Sequence, residues 1–186
     1  MCVADIDGDG QVSAGGDDLV VAASVFKVAV ALEVFAQAAA VRLDPGERVR
    51  VSPAQRTPGP TGLSLFADEA EMSLRDLAMM MLTISDNAAA DVLVDLAGLD
   101  SIHATLAALG LRQTVIPRPL RDELDSIGQD AGFAGWADLE RASAAFSVRE
   151  EQRIREGFSR ARARSAAGHP HDRPGDGHLA AADLAR

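Results

Sequence analysis

The chain has 186 residues, of which 47% are hydrophobic and 25% charged, a balance that suits one domain with a substantial core. A net charge of -10 and a pI near 4.7 argue against nucleic acid or an anionic membrane as partner. Cys2 is the only cysteine, so an intrachain disulfide is excluded.

In chain order, residues 1–23 read as a β-hairpin. CVADI and DLVVAAS supply the strands and the Asp/Gly-rich stretch between them the turns. From Ser24 the pattern becomes helical to about Ala40, with apolar residues on nearly all sides, which predicts a central, enclosed helix. Lys27 and Glu33 interrupt its apolar run, so a buried helix is expected there and not a membrane span. Residues 43–72 form a Pro/Gly-punctuated connection with a short strand at ERVRV.

Ser73-Leu-Arg-Asp76 opens a second helix as a capping box, and Leu74, Leu77, Ala78, Met81 and Leu82 follow the spacing of a buried stripe. Met79, Met80 and Met81 read as core filler. Ser85-Asp86-Asn87 separates this helix from AAADVLVDLAG, which Gly98 closes. Asp100 or Ser101 caps a further helix ending at Gly110, and helical segments follow through DELDSI, WADLERASAAF and REEQRIREGF. At about Arg160 the composition breaks into an Arg/Gly/Pro/His-rich tail. Residues 1–160 are therefore expected as one domain and 161–186 as an aberrant or disordered appendage.

Lys27 is the only lysine, against seventeen arginines, so a general need for positive charge does not explain it. An ammonium loses its proton when desolvated far more readily than a guanidinium does. Ser24 stands three residues earlier, and S-x-x-K at a helix N-terminus places both side chains on one face. A serine hydroxyl needs a neighbouring base to act as nucleophile. Apolar surroundings and the helix dipole both favour a neutral Lys27, and backbone N–H groups, including that of Ser24, can hold a developing oxyanion. The competing reading makes Ser24 an N-cap and Lys27 a snorkelling side chain. In Ser85-Asp86-Asn87, Ser85 can relay a proton to a leaving nitrogen and Asn87 can bind a substrate amide; alternatively, Asp86 or Asn87 simply caps the next helix.

Together, Ser24-Val-Phe-Lys27 and, about sixty residues later, Ser85-Asp86-Asn87 resemble the class A β-lactamases and related penicillin-recognising serine enzymes. The likeness extends over roughly residues 3–115. AASVFKVAVALEVF is similar to the nucleophile helix, and SLRDLAMMMLTISDNAAADVLVDLAG to the helix, S-D-N loop and following helix. It implies an α/β lactamase–transpeptidase fold, represented here by its helical lobe and an N-terminal hairpin. It also implies acylation of Ser24 by a β-lactam or related amide or ester, with Lys27 as base, Ser85 protonating the leaving nitrogen and Asn87 binding the substrate side chain. A monomer without cofactor or metal is expected. No basic leader precedes the chain as written, so a cytoplasmic location is expected by default, although the family is typically exported.

Two departures point to impaired turnover. Aligning Leu120-Arg-Asp-Glu-Leu-Asp125 on the family's E-x-x-L-N loop puts Arg121 at the glutamate's place, with Asp122 or Glu123 as weak substitutes. K-[ST]-G and the strands that complete the main sheet are missing. Shifting the reading frame of His169 to Arg186 by one nucleotide, with permitted wobble bases, spells an amphipathic helix similar to the one the family carries after that loop. A frameshift upstream of His169 is the expectation that follows.

Asp5 to Ser13 fits the first nine positions of an EF-hand loop, but Gly16 stands at the twelfth and no helix flanks it, so a hairpin turn is favoured over a calcium-binding module. His169, His171 and His178 lack the outer shell a metal site needs, and His103 reads as a surface or partly buried structural residue.

Overall fold

The computed structural model describes residues 2–15, 18–143 and the strand at 178–180, which is described by its backbone alone. Two compact units make up this chain. One lies within Met1–Pro117 together with that strand, the other within Arg118–Pro174.

The first unit holds β1 (Cys2–Ala4), β2 (Gln11–Ser13), β3 (Leu19–Val21), α1 (Phe26–Ala39), β4 (Arg48–Val51), β5 (Ala70–Ser73), α2 (Leu74–Thr83), α3 (Asn87–Ala97), α4 (Leu99–Ala108) and β6 (His178–Ala180). Its strands form three antiparallel pairs, β1–β2, β3–β6 and β4–β5. The helical lobe and N-terminal hairpin expected from the sequence are both present. The hairpin's second strand is a correction: Val3 pairs with Val12, whereas Val20 pairs with Leu179, so DLVVAAS is not β1's partner. Asp5 N–H donates to Gly10 O at 2.8 Å and closes the turn too early for Leu19 to come opposite Cys2.

Three helices pack α1 from one side, and the core runs through Val30 and Val34 of α1, Leu77 and Met81 of α2, Leu93 and Val94 of α3, and Ile102 and Leu106 of α4. Alanines at 88, 89 and 90 are fully buried and give α3 a low surface that other helices can approach closely. The apolar residues of α1 are not all enclosed, since Val28, Leu32 and Phe35 face solvent. Likewise Met79 is 60% exposed while Met81 is 1% exposed, because three consecutive helical residues span about 200° and cannot share a face. Leu82 is also exposed, outside the stripe predicted for it.

Local capping sets the boundaries. Ser73 Oγ accepts from Asp76 N–H at 3.1 Å and starts α2, and Asp86 Oδ1 accepts from Ala88 and Ala89 N–H and starts α3. Neither Asp100 nor Ser101 caps α4. Gly98, at φ 80°, both ends α3 and begins α4, so the joint is one residue long and those two positions already lie inside the helix. Strand β5 lies in the stretch expected as connection; its four residues pair with Arg48–Val51 of β4, and Arg48 and Arg50 are both ion-paired to Glu71.

The second unit contains α5 (Leu120–Asp130) and α6 (Trp136–Ser143). Gly128 abuts the Gly135 backbone so closely that a Cβ would come within 2.3 Å of it, and Asp125 Oδ1 accepts from Trp136 N–H at 2.9 Å to cap α6. REEQRIREGF, His169, His171 and the rest of the stretch from His169 to Arg186 lie outside the described residues, apart from the backbone of His178–Ala180. No helix among the described residues is long and apolar enough to cross a membrane, and no group of three or more His, Cys, Asp or Glu is arranged to hold a metal ion.

Candidate active site

A single 3-10 turn, Ala23–Val25, feeds directly into α1 and carries Ser24 at its exposed edge. Lys27 follows in the first turn of α1 but points inward and is 2% exposed. Its ammonium donates to three acceptors: the Ser85 carbonyl at 2.7 Å, Ser85 Oγ at 3.0 Å and Asn87 Oδ1 at 2.8 Å. Ser85 Oγ in turn donates to Ser24 Oγ at 2.9 Å. The four residues singled out from the sequence thus meet, and Lys27 reaches Ser24 through Ser85. The snorkelling alternative for Lys27 is excluded by its burial.

The backbone around this contact is held in an uncommon conformation. Ala23 (φ 46°) and Ser85 (φ 59°) are both non-glycine residues in the left-handed region, and each adjoins or makes the Ser24–Ser85 bond. Such conformations cost about 1–3 kcal/mol each and persist only where surrounding structure enforces them. For Ser85 the enforcement comes from Asp86, which is fully buried. Besides capping α3, its Oδ2 accepts from Leu63 N–H at 2.8 Å. Gly62 (φ 66°) passes so close that a Cβ there would lie 2.1 Å from Asp86 Oδ2, so only glycine fits.

Burial lowers the Lys27 pKa below the ordinary lysine value, and the negative charges of Asp86 and Asp91 oppose that shift without overcoming it. The arrangement can therefore pass a proton between Ser24 and Lys27 by way of the Ser85 hydroxyl.

Asp122 and Glu123 lie in the first turn of α5, in the second unit, where Glu123 pairs with Arg118 at 2.9 Å and Asp122 stands 4.0 Å from Arg121. His103 is half-buried and its Nε2 accepts from Ile116 N–H at 3.0 Å, the structural role expected of it. Two contributors escaped the sequence reading. Thr57 and Asp91 are both buried, and Thr57 Oγ1 donates to Asp91 Oδ2. The available signal was Asp91 itself, an acid on the otherwise apolar face of AAADVLV.

Among solved structures, a β-lactamase from Sphaerobacter thermophilus is 31% identical, with a TM-score of 0.60 over 63% of this chain and 44% of that one. A PBP-A variant solved as an acyl-enzyme with penicillin G shares the fold at 24% identity and a TM-score of 0.59, over 69% of this chain and 53% of its own. A curated relative, the β-lactamase regulatory protein BlaB of Streptomyces cacaoi, is 28% identical over 101 residues, 54% of this chain. The chain spans 32% of that relative's length. The profile of the β-lactamase enzyme family matches residues 1–162, and the chain belongs to that family.

Proposed function

We propose that this chain carries the nucleophile half of a class A-type serine β-lactamase site and opens a β-lactam amide through an acyl-enzyme on Ser24. The observation that carries the reading is the buried lone lysine, hydrogen-bonded to Ser85 and Asn87, with Ser85 bridging to Ser24. In acylation, Ser24 Oγ forms a bond to the lactam carbonyl carbon while its proton passes through Ser85 to neutral Lys27. The lactam C–N bond then breaks, and the leaving nitrogen takes a proton returned through Ser85. Asn87 offers its amide to the substrate side chain.

A second reading, acylation without turnover, draws support from Arg121, which stands where the family's water-activating glutamate is expected, and from Glu123, which is already paired with Arg118. The regulatory function in the name of the Streptomyces relative is compatible with such a stable adduct. A chromogenic β-lactam combined with intact-mass detection separates the two. Hydrolysis supports turnover, a persistent Ser24 adduct supports the second reading, and the absence of both rejects the serine-hydrolase assignment. The Asp-rich turn is tested by calcium titration, with a flat thermal shift expected of a plain hairpin.

A further inference from the structure

The proton route uses Ser24, Ser85, Lys27 and Asn87, and it leaves a second buried carboxylate without a role. Asp91 is 2% exposed and lies one helical turn after Asn87, on the same face of α3. Thr57, itself buried, donates its hydroxyl to Asp91 Oδ2. The next residue, Pro58, accepts from Asn87 Nδ2 at 2.9 Å through its carbonyl. Gly59 then runs past the same amide, where a Cβ would sit 3.0 Å from Asn87 Nδ2. With one Nδ2–H bound to the Pro58 carbonyl and the other left for a substrate, the Asn87 amide presents Oδ1 to Lys27, as it does at 2.8 Å. A flipped amide would set two donors against each other at the ammonium and leave the Pro58 carbonyl without its partner.

We propose that Asp91 and Thr57 are positioning residues: their bond anchors segment 57–59, which fixes the Asn87 amide and holds its carbonyl on Lys27. The inference rests on Ser24 and Lys27 being nucleophile and base. The charged groups that act on Lys27 from α3 are Asp86 and Asp91. On its own helix, Glu33 is bound to Gln37 and Thr105; on α2, Asp76 is bound to Ser73; on α4, His103 is bound to the Ile116 amide.

Because the chain has one lysine, its side chain gives a single resonance in a sample labelled with 13C-lysine, and its titration can be followed without any activity. Full-length Thr57→Val, Thr57→Ser and Asp91→Asn are compared with the parent. Thr57→Val, which frees the amide, and Asp91→Asn, which removes a charge favouring the ammonium, should each move the midpoint down by about one pH unit. Thr57→Ser should leave it in place. A midpoint unchanged in Thr57→Val, or an equal shift in Thr57→Ser, overturns the proposal. If Thr57→Val does not fold, Thr57→Ala, which likewise removes the hydroxyl bound to Asp91, decides it. Labelling of Ser24 by a fluorescent penicillin runs in parallel, with Thr57→Val expected to slow it about tenfold. An unlabelled parent chain would reject the nucleophile reading, whereas the lysine titration still decides the positioning role.

Discussion

Replacing Lys27 by arginine would keep a positive charge at the head of α1 and remove the one basic nitrogen there whose burial eases the loss of its proton. Acylation of Ser24 should fall by about 10²–10⁴-fold in Lys27→Arg, read as the rate of penicillin adduct formation by intact mass. A parent-like rate would show that Lys27 supplies charge and not basicity. In the parent, the rate should climb as pH rises through the Lys27 pKa, which burial places below the ordinary lysine value. Between those two values the folded chain binds fewer protons at Lys27 than the unfolded chain, so this group's contribution makes stability rise with pH in the same window. Asp86 yields a prediction of a different kind. Gly62→Ala would drive a methyl into Asp86 Oδ2 at a positive φ and should cost roughly 2–3 kcal/mol in denaturant unfolding. Ser24, Lys27, Ser85 and Asn87 were legible because their types and order are chemically unusual, above all a single lysine among arginines. Thr57 and Gly62 were not, because their part is fixed by a fold-back of the chain onto Asp86 and Asp91 that no local spacing announces.

At the scale of elements, helices were read well where a capping residue and a buried stripe agree, as in α2, whose Ser73 cap and buried Leu74, Leu77 and Ala78 match the pattern. They were misread where composition stood in for geometry. Three methionines in a row look like core material, yet only Met81 is fully buried and Met79 faces water. Met81→Ala should therefore destabilise by about 2–4 kcal/mol and Met79→Ala by less than about 0.5 kcal/mol, compared by thermal melting. Similar losses would contradict the orientation of α2. The buried carboxylate of Glu33 ties α1 to its neighbours. Gln37 Nε2 donates to Glu33 Oε1 at 2.7 Å and to Ala97 O at 2.8 Å, while Thr105 donates from α4. Thr105→Val would leave one oxygen of that carboxylate without its hydroxyl and should cost about 1.5–3 kcal/mol. Strand β5 went unrecognised because its four residues, AEMS, carry a single alternation. It becomes a strand only by lying against β4, a tertiary cause invisible to a short window.

Across the whole molecule, one side of α1 carries a row of apolar side chains that stay exposed. Val25, Val28, Leu32 and Phe35 recur at intervals of three and four residues along that side and all face solvent, as do Leu19, Val20 and Val21 of β3. Scattered exposed side chains are ordinary, but a continuous stripe on a helix this apolar favours self-association. The helix was expected to be enclosed because apolar residues surround it; α2, α3 and α4 cover its inner side alone. The chain as it stands should therefore be poorly soluble, and the stripe should be the cause. Val28→Glu with Leu32→Lys places an acid near the start of α1 and a base one turn later, a pairing that the helix tolerates and its dipole favours at the first position. The double variant should raise the soluble, monomeric fraction in analytical ultracentrifugation while changing stability by less than about 1 kcal/mol, since neither side chain belongs to the core. A parent chain that is already monodisperse and melts cooperatively at high temperature would remove the stripe as a liability. A variant that unfolds would show that Val28 and Leu32 are packed rather than bare.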